Sequence, residues 1–214
     1  MALLGWNPGT DKEIFTLEEL VKLFDISKIQ KGGAVFDEDK LKWIHGEHMK
    51  RLSEDERFAY FKKTFNKVPA WAKAYEEKPD LVKTLFEASG IQNSPTSDQI
   101  ELLKSGYLDF GIQKQKYAKE LLLWKDTKDL SEILRHIQWA IETLAEIPNA
   151  NWTNEAIKEA VWEYATQMGR GNVLWPMRMA LSGQEKSPDP FTIAFILGKE
   201  KTLLRLKEAE KLLQ

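Results

Sequence analysis

Three groups of residues have types and spacings that could do chemistry. The first lies near the end of the chain, where Trp175-Pro176-Met177-Arg178-Met179-Ala180-Leu181-Ser182-Gly183 is followed by Ser187-Pro188-Asp189-Pro190-Phe191. Gly183 can end a helix, because glycine takes the left-handed conformation of a C-terminal cap without steric cost. Ser187 can cap the next helix, with Pro188 at its first position, where no backbone N–H is needed. Arg178 then stands about one turn before a loop that opens a helix with free N–H groups, which suits a phosphate or the polar edge of a base. Spacing alone favours the plainer alternative, a helical hairpin whose arginine makes a surface salt bridge. The second group is His45, Glu47 and His48. The two histidines share a helix face, so chelation is sterically possible. HEXXH spacing is absent, however, and only His136 remains as a further histidine, so no metal is expected. The third group is aromatic, with 8 Trp and 10 Phe. Most read as helix-packing anchors. Trp124, Trp152 and Trp175 lie near predicted helix ends, where stacking on unpaired bases is the functional alternative.

Catalytic constellations do not appear. Gly32-Gly33 is a turn without the GxGxxG or GxxxxGK surroundings of a phosphate loop. There is no GxSxG, no cysteine nucleophile and no isolated carboxylate pair in a recognisable motif. No catalytic residue is assigned.

The elements that must position these groups are helices. Thr16-x-x-Glu19 makes a capping box for a helix through Phe24, with Leu17, Leu20, Val21 and Phe24 on one face. Asp37 caps a helix from Glu38 to Arg51, and Ser53-x-x-Glu56 boxes another through Phe65. Pro69 opens a helix that Lys78-Pro79-Asp80 breaks, and Leu81 to Ser89 forms the next, before Gly90. The run 93–98 is the clearest loop; Asp98 to Lys104 and Gln113 to Trp124 read as the following helices. Leu130, Ile133, Leu134, Ile137, Ala140, Ile141 and Leu144 recur at helical spacing until Pro148. Thr153 or Asn154 caps a helix with Ile157, Ala160, Val161, Tyr164, Ala165 and Met168 buried, which Gly169 and Gly171 close around Arg170. Gly198 breaks the helix that Ser187 and Pro188 open, and Lys199 to Leu213 follows as another. No strand run appears, so the fold class is all-α. No repeat of fixed period organises the helices.

Length and composition bound the function. A chain of 214 residues buries a proper core and holds one to three small domains. Its 31 basic and 33 acidic residues leave a net charge of −2. That balance gives no electrostatic reason to expect nucleic acid, though a local basic face fits inside a neutral total. The absence of cysteine excludes disulfides and cysteine-ligated zinc and fits a reducing compartment. No apolar run reaches membrane length and no signal-peptide pattern opens the chain, so no membrane partner and a cytoplasmic location are expected.

The two ends of the chain carry a resemblance. Met177-Arg178-x-Ala180-Leu181-Ser182-Gly183, Ser187-Pro188, Leu197-Gly198-Lys199-Glu200 and Arg205-Leu206 look like the C-terminal end of bacterial-type glutamyl-tRNA synthetase. Leu3-Leu4-Gly5-Trp6, Phe15 to Leu20, Gly33-Ala34-Val35-Phe36-Asp37 and Lys40-Leu41-Lys42-Trp43 resemble words that follow the catalytic domain in that family. The resemblance implies a right-angled array of short helices forming an α-helical anticodon-binding cage. Its implied division is 1–51 as a remnant of the stem-contact region, with 52–126 and 127–214 as two helical anticodon-binding subdomains.

Arg178 is then expected at the first anticodon base, with Ser187, Pro188 and Pro190 on the loop that meets the anticodon. Arg170, Lys42 and Arg51 are the further candidates for tRNA contact, the last two at backbone phosphates. Asp189 and Pro190 depart from the family's usual residues, and the upstream arginine that helps read the third base has no clean counterpart, Lys104 being a rough positional candidate. The expected partner is tRNA, in particular tRNA-Glu, with no DNA and a monomeric chain. Neither the HIGH-type nor the KMSKS-type sequence of a class I synthetase is present. The chain therefore reads as a truncated piece, inactive alone, with no cofactor of its own; ATP and Mg belong to the parent enzyme's catalytic domain. Two alternatives stand beside this: the related cage of class I lysyl-tRNA synthetase, and an all-helical interaction scaffold without an RNA role. A basic concave face joining Arg170, Arg178 and Lys199 would favour RNA, and an exposed apolar groove the scaffold.

Overall fold

The structure, a computed structural model, describes residues 2–30, 32–33, 35–91, 94–113, 116–125 and 129–214. Among these, every regular element is helical, apart from one isolated antiparallel bridge between Trp6 and Ile29. Local chemistry sets most boundaries. Helix α1 (Leu17–Leu23) and helix α3 (Glu54–Phe65) both begin with a complete capping box, Thr16 with Glu19 and Ser53 with Glu56. Asp37 caps α2 (Glu38–Lys50) through the Lys40 N–H at 2.9 Å. Pro69 and Pro79 occupy the first positions of α4 (Pro69–Glu77) and α5 (Pro79–Ser89), and Gly90 ends α5 in the left-handed region. After α6 (Thr96–Lys104) and the short α7 (Asp109–Ile112), Asp129 caps α8 (Leu130–Glu146) and Thr153 caps α9 (Asn154–Met168).

One continuous core runs from Phe61 to Ala209. Phe61, Phe65 and Phe86 pack ring against ring at its α3–α5 end, Phe61 and Phe86 stacked at 4.1 Å. Its other end is the mutual packing of α8, α9, α10 (Arg170–Ser182) and α11 (Pro190–Leu213). Contacts of α5 with α11, and of α7 with both α5 and α10, join the two. The chain before α3 has buried side chains that are not part of that core: Trp6, Ile14, Phe15 and Met49.

Three expectations are corrected. The stretch expected as a helix from Gln113 to Trp124 is instead a 3-10 turn at Lys119–Leu122, with Gln113 extended; residues 114 and 115 lie outside the described set. Its carbonyls serve other elements, since Leu121 accepts from Trp175 Nε1 at 2.9 Å. The apolar face of α1 is not buried: Leu17 is 77% and Val21 71% exposed. Finally, Gly171 does not close α9. Gly169 (φ 91°) alone separates the helices, and Gly171 lies in the first turn of α10 because a Cβ there would sit 2.0 Å from Trp124 Nε1.

The break expected at Gly198 is present as a kink inside α11 (φ 75°, ψ 162°). Backbone in this conformation cannot continue the helical ladder, and the Ala194 carbonyl is taken up by Thr202 Oγ1 and Trp152 Nε1, both at 3.1 Å.

Candidate functional site

Helix α10 delivers Arg178 to its own C-terminal end, where Gly183 (φ 68°) closes the helix and donates its N–H to the Met179 carbonyl at 2.7 Å. The half-buried guanidinium lies over the Trp175 ring, 4.7 Å from its centroid, a cation–π contact between consecutive turns. Its Nη2 donates to the Glu185 carbonyl at 3.0 Å, whereas Nε is buried with no partner. A planar donor fork held against an indole is pre-oriented for a polar base edge or a phosphate.

The loop between α10 and α11 is braced from inside. Ser182 Oγ donates to the Arg178 carbonyl (2.8 Å) and accepts from the Gln184 N–H (3.1 Å), and Ser187 Oγ reaches Ser182 Oγ at 3.2 Å. Ser187, Pro188 and Pro190 are all buried, so their side chains shape the loop. Ser187 is not the helix cap. Asp189 is, with Oδ1 accepting from the Phe191 and Thr192 N–H groups at 3.0 Å, Oδ2 from Thr192 Oγ1 at 2.7 Å, and Pro190 at the first helical position. The anion site expected at this helix N-terminus is therefore filled by the protein's own carboxylate, which satisfies the same N–H groups a phosphate would need.

A third element completes the corner. The turn after α6 is anchored by Gly106 (φ 80°), whose carbonyl accepts from Gln184 Nε2 at 2.8 Å. This brings half-buried Tyr107 beside the loop. Burial pushes its phenol up, the Asp189 carboxylate adds to that, and the Arg178 guanidinium opposes it. Arg178 and Asp189 thus both act on the Tyr107 phenol, from different elements.

The other candidates lie elsewhere. Arg170 opens α10 and sits 4.5 Å from the Trp162 centroid, a ring that Lys158 also approaches at 5.0 Å. Lys42 pairs with Asp98 at 3.7 Å, and exposed Arg51 is the C-cap of α2. Lys104 is exposed at the end of α6. Lys199 does not join Arg170 and Arg178 in a basic face: its Nζ donates to the Ala145 and Ile147 carbonyls, both at 2.7 Å, closing the end of α8. Of the three tryptophans singled out, Trp152 and Trp175 spend their N–H on backbone carbonyls, and Trp124 packs 5.0 Å from Trp175. His45 and His48 belong to no group of three or more metal-ligating residues among those described. No helix of the described residues is long and apolar enough to cross a membrane.

Arg205 is the residue whose weight the sequence hid. Its guanidinium, held down in pKa mainly by burial, donates to the Leu181 carbonyl and to the Phe110 carbonyl (2.9 Å), tying α7, α10 and α11 together behind the corner. Gln184 was equally silent, since its partner lies 78 residues away. The only sequence signal was the Arg205-Leu206 pair itself.

Comparison with known proteins follows the same geometry. Residues 97–210, the span holding the corner and most of the core, match the family model described as an anticodon binding domain. Among curated relatives, the glutamate--tRNA ligase of Clostridium botulinum (strain Eklund 17B) is 36% identical over 220 residues, covering 100% of this chain and 42% of the relative. That of Clostridium tetani is 36% identical over 213 residues, covering 97% of this chain and 40% of the relative. The chain therefore spans about two fifths of the length of these relatives. The crystal structure of a glutamate tRNA ligase from Elizabethkingia meningosepticum superposes over 100% of this chain and 40% of that one, with a TM-score of 0.68 at 24% identity, which establishes the likeness of fold. The chain belongs to the anticodon-binding-domain family, in the form carried by glutamate–tRNA ligases.

Proposed function

We propose that this chain grips a tRNA by its anticodon, with the α10–α11 corner as the base-reading part and tRNA-Glu as the cognate partner. The observation that carries this is the place of Arg178 within the matched family span: at the end of α10, stacked on Trp175, beside a loop braced from within. Unpaired anticodon bases are splayed out and read by arginine planes and polar edges, the common route to sequence-specific RNA recognition. The remaining candidates supply backbone contacts, Arg170 through its position over Trp162, and Lys42 and Arg51 from α2. The chain acts as a monomer in the cytoplasm.

Ligation belongs to the part of a glutamate–tRNA ligase that lies outside the matched two fifths. ATP and Mg²⁺ would supply adenylate chemistry there. The residues described here do not fit those groups, since they form neither a phosphate loop nor a metal-ligating cluster, and no step is assigned to them. The exposed apolar side chains of the first helices and of the segment between them, among them Leu17, Val21, Val35 and Trp43, favour polypeptide contact at that end of the molecule. The rest of such a ligase is the partner we assign to it.

The test is binding of the chain to a tRNA-Glu transcript at two stated salt concentrations, beside a transcript with a changed anticodon and the Arg178→Ala protein. Each change should weaken binding by about 1–3 kcal/mol, the scale of one specific base contact. Equal affinity for every transcript would leave only a salt-sensitive phosphate surface and refute the anticodon reading.

A further inference from the structure

The family likeness leaves Tyr107, Gln184 and Asp189 without a role, and the structure places all three around Arg178. The clasp from Gln184 Nε2 to the Gly106 carbonyl (2.8 Å) spans 78 residues of sequence and fixes the turn bearing Tyr107 against the α10–α11 loop. It is tight enough that a Cβ at Gly106 would come within 3.3 Å of Gln184 Nε2. The Tyr107 ring is half-buried, packing on the core, and its hydroxyl makes no hydrogen bond among the described residues. With its phenol pushed upward, that hydroxyl stays protonated at neutral pH and can both donate and accept. Asp189 is exposed and caps α11, yet the cap uses three of the roughly four acceptor positions a carboxylate offers. One acceptor on Oδ2 is left over. Arg178, on the same corner, offers donors only.

An acceptor, a donor fork and a hydroxyl of either sense, beside a half-buried aromatic ring, do not suit a phosphate, which the carboxylate repels. They suit a heterocycle whose edge carries an amino group next to ring acceptors, because carboxylates accept from the exocyclic amine of cytosine while arginine donates to ring acceptors. Resting on the anticodon reading above, we propose that Tyr107 and Asp189 join Arg178 as specificity-determining residues for an unpaired base bearing an exocyclic amino group, and that Gln184 is the positioning residue that holds Tyr107 in place. Asp189, which departs from the family's usual residues, is then the acceptor that separates an amino-bearing base from its keto counterpart.

The experiment compares affinities of the full chain for a tRNA-Glu transcript and for transcripts in which anticodon cytosine is replaced by uracil, exchanging amino for keto. Four variants are measured: Arg178→Ala, Tyr107→Ala, Gln184→Met and Asp189→Ser. Serine keeps the helix cap but spends its single oxygen on it, so the melting temperature should hold while the free acceptor is gone. The unaltered chain should prefer cytosine by about tenfold or more. Asp189→Ser and Tyr107→Ala should collapse that ratio towards one, and Gln184→Met should lower it as well. The ratio is the readout because a purely structural defect weakens both transcripts alike. A ratio that survives in Tyr107→Ala and Asp189→Ser, with Arg178→Ala still impaired, overturns this assignment alone. An unaltered chain that ignores the anticodon overturns the anticodon reading and this assignment with it.

Discussion

Replacing Arg205 with methionine keeps most of the side-chain volume and removes every donor. The Leu181 and Phe110 carbonyls, both on residues with no exposed surface, then lose their charged partner. An orphaned buried acceptor costs about 1–3 kcal/mol. Full burial would thus put the pair near 2–6 kcal/mol. Arg205, however, also lines a cavity of about 280 Å³ with Tyr117, Ser182 and Glu208, where water can reach one of the carbonyls. The lower half of the range follows, about 2–4 kcal/mol. For a chain of 214 residues each kcal/mol moves the melting temperature by about 2–4 °C, so a drop of about 5–15 °C is expected in thermal unfolding followed by circular dichroism. Arg205→Lys, which keeps the charge but loses the planar fork whose two arms reach the two carbonyls, should fall between. A methionine variant melting within about 1 °C of the parent would show that water serves both carbonyls, and the claim that Arg205 ties α7, α10 and α11 would be wrong.

Gly171→Ala should destabilise the chain by about 1–3 kcal/mol, the cost of overpacking, with an altered near-ultraviolet tryptophan spectrum, because the Trp124 indole must move away from the new methyl group. Lys199→Met should lower stability by about 1 kcal/mol through the lost cap of α8 while leaving tRNA affinity unchanged; an affinity loss in that variant would place Lys199 on the RNA after all. Burial, opposed by Glu132, holds the His136 imidazole below its ordinary value. The unfolded chain therefore takes up that proton first, and the stability contributed by the neutral ring, complete above the ordinary histidine range, is lost as pH falls through it towards the lower folded value. Melting at pH 7.5 and pH 5 should show this loss, and His136→Gln should reduce it; His45, lowered chiefly by burial too, contributes in the same direction.

Capping signals were legible because they are local. Thr16 with Glu19, Ser53 with Glu56, Pro69, Gly90, Thr153 and Gly183 each fix a helix end by hydrogen bonds or steric freedom within four residues. In Ser187-Pro188-Asp189-Pro190 two cap-and-proline pairs follow one another, and local rules choose neither. The choice falls to Asp189 because the Ser187 hydroxyl is drawn inward to Ser182. Positions 113–124 failed for a related reason: Leu122 and Trp124 insert into the core and onto α10, and the backbone gives up helical pairing to deliver them. Arg178 was legible from its motif. Tyr107 and Gln184 were not, since what unites them with Arg178 is a single hydrogen bond between distant turns. Lys199 looked like a free cation for the opposite reason, as the end of α8 that it closes lies 52 residues upstream.

The exposure of helix α1 has a kinetic consequence. Helix α1 buries none of its residues, so opening that helix exposes little that was not already wet, and none of its residues belongs to the Phe61–Ala209 core. Amide protons of α1 should therefore exchange through a shallow opening of their own, whereas those of α8–α11 wait for the whole core to come apart. A protease should meet the same asymmetry, cutting within α1 well before it reaches the α10–α11 corner.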